Sequence, residues 1–309
     1  MRHEKKKKKK RTWLKVVGII VLLFILAGGA FAFSIWNSLT KTVETMHTPI
    51  DRNTDKRAKE LALSDQEPFS MLMLGVDERD GDKGRSDTMI VLTVNPELKS
   101  VKMLSIPRDT RTEIVGHGTQ DKINHAFAFG GAEMAMDTVE NFLDIPIDYY
   151  MKINMEGFKD IVDAVGGVTV QNDLDFSYEG KHFTKGIINL SGEDALKYSR
   201  MRYDDPNGDY GRQSRQRAII EAVIKEGASV STLTSYGDVF DALSKNIQTN
   251  LTFDDMMDIQ KNYRDASKNI SQSTIPGNGE KIDGIYYNIV SEEEQKKVQT
   301  QLKEHLTVK

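Results

Sequence analysis

Fourteen residues, Gly75-Val76-Asp77-Glu78-Arg79-Asp80-Gly81-Asp82-Lys83-Gly84-Arg85-Ser86-Asp87-Thr88, interleave carboxylates with basic side chains in a glycine-punctuated loop. The apolar run Met71-Leu72-Met73-Leu74 precedes it, and a further pair, Arg108-Asp109, follows the next two strand-like runs. Asp77 comes directly after a strand, where α/β sheets hold ligands, and Asp87 opens the next strand. Two carboxylates brought together across such a loop suit a hard cation, Mg2+ or Mn2+, completed by phosphate oxygens. Arginines fork onto the same oxygens. Arg79 and Arg85 share the loop, and Pro107 sets the backbone direction into Arg108. Arg200 and Arg202, two apart, would point to one side of an extended segment. Arg212 and Gln216, four apart near a helix start, share a face to which the helix dipole adds. Lys122 is a further phosphate ligand by type, against a plain surface charge. His125 is a candidate base, although a lone histidine is more often a structural hydrogen-bonder. Together these residue types point to chemistry on a metal-bound phosphate or pyrophosphate. The competing reading is a solvated acidic loop with ordinary salt bridges.

The elements that must position these groups alternate from Pro68 onward. Phe69–Val76, 89–94 and 101–106 read as strands, and 88–94, without a charge, reads as a central one. A helical period begins after Gly130-Gly131, with Ala135, Thr138, Val139 and Phe142 on one face. A strand follows over 147–153, then a helix marked by Phe158, Ile161, Val162 and Val165 and stopped at Gly166-Gly167. Residues 168–170 read as a short strand, 171–190 as a hairpin or irregular excursion, and 192–198 and 211–227 as helices. Further helices are expected near 232–246 and 252–268, and a strand over 285–289. Ser291 with Glu294 forms a capping box for a last helix to about Leu306, which either completes the core or caps the site. The order predicts an α/β, three-layer α-β-α domain over 68–309.

The termini differ in charge. Residues 1–15 carry +8, which leaves −12 on the rest of a chain whose net charge is −4. An acidic body argues against general nucleic-acid binding. There is no cysteine, which excludes disulfides, zinc thiolates and thiol nucleophiles. Val16 to Trp36 has no charge over 21 residues, long enough to span a bilayer core and bracketed by Trp13 and Trp36. Lys5–Lys10 and Arg11 before it place the amino terminus in the cytoplasm and the rest outside. Ala30-Phe31-Ala32 offers a signal-peptidase reading, but the run exceeds the usual apolar core of a signal peptide. A lysine tract that binds nucleic acid is the other competitor. The expected layout is a basic cytoplasmic tail (1–15), a transmembrane signal-anchor helix (16–36), a polar, partly helical stalk (37–67) and an extracellular domain (68–309).

Gly75-Val76-Asp77, Arg85-Ser86-Asp87-Thr88, Ser105-Ile106-Pro107-Arg108-Asp109, Lys122-Ile123-Asn124-His125-Ala126 and Gly166-Gly167-Val168 stand in order, followed by Tyr198-Ser199-Arg200-Met201-Arg202 and Asp209 to Arg217. With the anchor, this series resembles the LytR–CpsA–Psr family. The resemblance implies a mixed central sheet between helices and an apolar tunnel for a prenyl chain. It implies a phosphotransferase of the Gram-positive cell membrane. Such an enzyme moves an anionic glycopolymer such as wall teichoic acid from undecaprenyl pyrophosphate to the C6 hydroxyl of peptidoglycan N-acetylmuramic acid, forming a phosphodiester. Asp77 and Asp87 match the family's Mg2+-associated aspartates. Arg85, Arg108, Arg200, Arg202, Arg212 and Gln216 match its pyrophosphate ligands, and Arg79 lies in a loop of variable length. Asp87, Asp77 and Arg108 are the catalytic expectation, with one aspartate accepting the acceptor's proton. Two alternatives use the same chain: a membrane-bound transcriptional attenuator, and a protein that binds or hydrolyses a polyprenyl pyrophosphate.

Overall fold

The computed structural model describes residues 40–50, 61–77, 84–229 and 245–308, with Asn37, Arg52, Lys56, Arg57 and Lys59. Its centre is a six-stranded mixed sheet. β1 (Phe69–Val76) pairs antiparallel with β2 (Ser86–Asn95) and parallel with β6 (Tyr149–Ile153). β3 (Ser100–Ser105) lies antiparallel beside β2. β11 (Ile247–Thr249) and β12 (Ile270–Thr274) form the edges, giving the order β11-β6-β1-β2-β3-β12. Alternation along β1 explains why it is central. Leu72, Leu74 and Val76 enter one core with Met89, Val91 and Leu104, whereas Phe69 and Met71 enter another with Ile90, Leu92 and Met103.

Helices cover both faces, so the expected three layers are present. α1 (His125–Leu143) and α6 (Glu292–Leu306) pack on the first face, through Ala135, Val139, Phe142, Val298 and Leu302. α4 (Gly208–Ser229) and α5 (Phe253–Asn262) cover the second, through Ile220, Ile224, Met256 and Ile259. A third core joins α2 (Met155–Ala164), α3 (Gly192–Arg200) and α4 to the ribbons β7 (Val168–Asn172) with β10 (Gly186–Leu190) and β8 (Phe176–Tyr178) with β9 (Lys181–Phe183). Phe176, Phe183 and Tyr198 pack there with ring centroids 5.0–5.7 Å apart.

Several boundaries and one segment differ from the sequence reading. Residues 37–67 were expected to stand off as a stalk. Residues 40–46 are helical as expected, but Val43, Met46 and Leu63 are buried. His47 bridges to Thr249, Arg52 pairs with Asp137 at 2.6 Å, and Arg57 pairs with Asp148. Apolar residues spaced through a charged stretch supply the docking face. α1 begins five residues before Gly130-Gly131, which form a kink inside it, with Gly131 at φ 68°. The last helix completes the core. Ser291 accepts the Glu294 N–H at 3.3 Å, but the Glu294 carboxylate turns to Lys297 at 3.5 Å, so only half of the predicted box forms. A complete box caps α5, between Thr252 and Asp255. The helix expected near 232–246 falls almost wholly outside the described residues. Among those residues no helix is long and apolar enough to cross a membrane, and segment 16–36 lies outside them.

α6 also holds a buried histidine. His305 is 3% exposed, with Nδ1 2.7 Å from Thr93 Oγ1 and Nε2 2.9 Å from Ser100 Oγ. Burial, assisted by the charge of Lys102, holds its imidazole down to about 4, from an ordinary 6.5. The unfolded chain therefore takes up a proton that the folded one refuses as pH falls from about 6.5 to 4. Stability is full above that window and drops across it by roughly 3 kcal/mol. Urea titrations at pH 7 and 4.5 should show this loss in the wild type and a smaller one in His305→Gln. Parallel losses would remove His305 as the cause.

Candidate active site

β1 and β6 run parallel, and their carboxyl-terminal ends open onto a cavity of about 330 Å³. Open α/β sheets bind ligands at such ends. The register of β1 and β2 shifts here: Gly75 pairs with Thr88, but Val76 pairs with Ser86. Asp87 is therefore the extra residue of a β-bulge, a device that re-aims a side chain and frees a backbone group. Both consequences are visible. Arg108 Nη1 donates to Asp87 Oδ1 at 2.6 Å, and Arg212 Nη2 approaches the Asp87 carbonyl at 3.4 Å. Asp77, one residue past β1, lines the same end of the cavity. There the described residues contain no cluster of three or more His, Asp or Glu side chains arranged to hold a metal.

Arg108, Arg200, Arg202, Arg212 and Gln216 complete the charged end. Burial pulls the Arg108 guanidinium down, but the hydrogen bond and charge of Asp87, with Asp109 and Asp209, more than offset it and leave it raised. Arg212 goes the other way. Its side chain is 12% exposed, and burial together with the charges of Arg108 and Arg202 outweighs Asp209 and Asp87, so its cation is disfavoured. Arg212 Nε and Gln216 Oε1 are both buried without hydrogen-bond partners, one helical turn apart on the face toward the cavity. Unpaired buried polar atoms are rare in finished interiors and mark a place where a bound group completes the bonding.

Beside the polar Thr88, Asn154 and Ser199, the cavity has an apolar lining from Met73, Ile90, Ile153, Met155, Phe158, Leu196 and Ile220. These residues come from β1, β2, β6, α2, α3 and α4, so no local sequence signal unites them. Tyr178 and Tyr203 stand beside them.

Arg215 positions the segment that carries Arg200 and Arg202. Its Nε donates to the Tyr198 carbonyl at 3.0 Å, Nη2 donates to the Met201 carbonyl, and Nη1 pairs with Asp205. Its guanidinium also lies over the rings of Phe176 and Tyr198. One buried cation thus closes the carboxyl end of α3 and ties down the turn to α4. Gly211 permits this, because a Cβ there would collide with the Asp205 carboxylate. Sequence reasoning passed over Arg215. Its place one residue before Gln216 puts it about 100° around the helix from that side chain.

The structure brings together Asp77, Asp87, Arg108, Arg200, Arg202, Arg212 and Gln216 around one cavity. Arg85 is exposed just before β2, outside the lining, and Arg79 lies outside the described residues. Lys122 also stands outside the lining: its ammonium sits 2.6 Å from Asp109 and 5.9 Å from the Tyr287 ring centre. His125 Nδ1 lies 2.7 Å from Asp121, the structural alternative for this residue. Arg200 and Arg202 do not share an extended segment. Arg200 ends α3, where a cation suits the helix dipole, and pairs with Glu179 at 3.4 Å. The positive end of α4 is taken up by Asp209, which pairs with Arg212 at 2.8 Å and Arg202 at 3.8 Å.

An arginine-rich end joined to an apolar pocket, at the parallel strand ends of a three-layer α/β domain, suits a ligand with an anionic head and an apolar tail. The LytR_cpsA_psr family model matches residues 33–304, and the chain belongs to that family. It is 54% identical, over 295 residues, to a Bacillus cereus protein named polyisoprenyl-teichoic acid–peptidoglycan teichoic acid transferase TagU. The match covers 95% of this chain and 97% of the relative, and relatives from Bacillus subtilis and Bacillus licheniformis carry the same name at 51% and 50% identity. Among solved structures, an Enterococcus faecalis protein described as a transcriptional regulator superposes with a TM-score of 0.75 at 44% identity, covering 81% of this chain and 92% of its own. TagT bound to LIIa-WTA superposes with a TM-score of 0.73 at 31% identity, covering 85% of this chain and all of its own.

Proposed function

We propose that this protein is a glycopolymer transferase that moves a teichoic acid from a polyprenyl pyrophosphate to a peptidoglycan hydroxyl. The observation that carries this reading is one cavity that joins a charged lining to an apolar lining, as the two ends of such a donor require. The transferase name borne by relatives over nearly the whole chain supports it.

In this reading the pyrophosphate lies among Arg108, Arg200, Arg202, Arg212 and Gln216, and the first prenyl units lie along Met73, Ile90, Phe158 and Ile220. The acceptor hydroxyl, the C6 hydroxyl of N-acetylmuramic acid, attacks the phosphorus that bears the glycan. The bond from that phosphorus to the bridging oxygen breaks, polyprenyl phosphate leaves, and a glycan–muramic acid phosphodiester remains. The hydroxyl proton passes to a carboxylate, Asp87 or Asp77. Preorganised guanidinium groups stabilise the charge that gathers on the leaving phosphate.

Asp77 and Asp87 would hold Mg2+ or Mn2+. Two carboxylates at one end of the cavity fit a hard cation that keeps water and phosphate oxygens. When bound, the ion adds charge neutralisation at the phosphate.

The reading also includes the anchor. Val43 is buried on the domain only seven residues after Trp36, so a membrane-spanning 16–36 would hold the cavity close to a lipid-borne donor.

The test incubates the full chain with a synthetic polyprenyl-pyrophosphate glycan, peptidoglycan oligomers and Mg2+, and weighs the products by mass spectrometry. A phosphodiester-linked glycan on muramic acid is expected, abolished by EDTA and reduced at least a hundredfold in Asp87→Ala. Free glycan phosphate as the sole product would replace transfer with hydrolysis. Absence of any turnover would reject the enzyme reading.

A further inference from the structure

The cavity holds the reacting end of the donor, so a polysaccharide acceptor has to lie on the surface beside it. Among the described residues seven large apolar or aromatic side chains are exposed, and Tyr203, Tyr210, Ile285 and Tyr286 are four of them. Tyr203 lines the cavity mouth. We propose that Tyr210 and Tyr286 form the platform for the acceptor glycan strand, an inference that rests on the transferase reading above.

The rings are held ready for stacking. Tyr286 belongs to β14 (Ile285–Ile289), paired antiparallel with β13 (Asn278–Ile282). A Cβ on Gly279 would stand 2.8 Å from the Tyr286 ring, so the ring lies against the bare backbone of β13. That backbone covers the near side of a ring that is still 49% exposed. The Tyr210 hydroxyl reaches the Gly277 carbonyl at 3.5 Å, which draws the start of α4 toward the same hairpin. A surface depression of about 340 Å³ adjoins Tyr210, lined by Asn207, Gly211 and Ser214. Ring faces with an amide and a hydroxyl alongside suit a pyranose, which offers C–H bonds on its faces and hydrogen-bonding groups at its edge.

Both halves of this surface are fastened next to the reacting end. Tyr210 follows Asp209, the partner of Arg212 and Arg202. Asn288 of β14 donates its N–H to the Asp109 carbonyl at 2.8 Å, one residue after Arg108.

The test measures binding of peptidoglycan glycan oligomers to the full chain by saturation-transfer NMR, and steady-state transfer to the same oligomers. Tyr286→Ala and Tyr210→Ala are each expected to weaken oligomer binding and raise the acceptor KM about tenfold. The donor KM and donor hydrolysis should not change, and Tyr286→Phe should bind like the wild type. In the wild type the oligomer should also protect Tyr286 from nitration, a readout that needs no variant. Unaltered binding in both alanine variants, absence of protection, or a rise in donor KM alone overturns the platform. Oligomer binding lost in the variants, with no transfer by the wild type, supports the platform and overturns the transferase reading. Transfer by both variants at the wild-type acceptor KM does the reverse.

Discussion

Arg212→Met is expected to lower kcat/KM for a polyprenyl-pyrophosphate donor roughly a hundred- to thousandfold, the usual effect of removing one preorganised charge donor. The melting temperature should stay level or rise slightly. The two expectations have opposite signs for one reason. The Arg212 cation is already disfavoured, by its burial and by Arg108 and Arg202, and its Nε has no hydrogen-bond partner. A buried cation incompletely paired costs stability, and a methionine of similar volume does not carry that cost. Asp209 is not abandoned by the change, since its Oδ2 still accepts from Gln213 at 2.8 Å. Donor titrations and thermal melts of the same preparation decide the matter. If activity and melting temperature fall together, Arg212 is a strut and its orphaned nitrogen has no bearing on the ligand.

Arg215→Ala should show the contrasting pattern. Here the guanidinium is fully employed by Asp205 and the carbonyls of Tyr198 and Met201, within a buried setting. Its removal leaves the buried Asp205 carboxylate without a counter-charge and with the Asn207 N–H at 2.7 Å as its remaining partner, a loss of about 3 kcal/mol. For a domain of this size that lowers the melting temperature by roughly 10 °C. Arg200 and Arg202 lose the clamp on the turn between them, so the donor KM should rise more than kcat falls. Gly211→Ala should resemble it, because the new methyl displaces the Asp205 carboxylate. The double variant Asp205→Asn, Arg215→Met should recover part of the stability by removing the unpaired charge, but not the donor KM. An Arg215→Ala protein that melts with the wild type would show that the clamp contributes nothing.

Arg212 and Arg215 differ by three positions in one helix, and nothing in their spacing separates a ligand-facing arginine from a clamping one. What separates them is the fold, which sets Tyr198, Met201 and Asp205 against Arg215 and the strand ends against Arg212. The same division runs through the fold. Phe69–Val76 was readable to the residue, because a centrally paired strand buries both faces and so carries an unbroken apolar run. β4 (Arg111–Ile114), β5 (Thr119–Lys122) and β13 left no such trace. β4 and β5 pair only with each other, as β13 does with β14, and polar side chains on exposed faces produce no apolar period.

By itself the sequence determined the charge asymmetry, the apolar segment beside a lysine run, most of the elements and the residue types at the strand ends. Each of these is local, set by neighbours one to seven positions away. Only the tertiary structure decided that Val43, Met46, Arg52, Arg57 and Leu63 dock, that a bulge turns Asp87 to Arg108, and that Lys122 is held by Asp109. It also decided that Met73, Ile90, Ile153, Phe158 and Ile220 line an opening as well as packing into the cores. An apolar side chain looks the same in the sequence whether it touches another side chain or an opening, because that distinction lies in packing between distant elements.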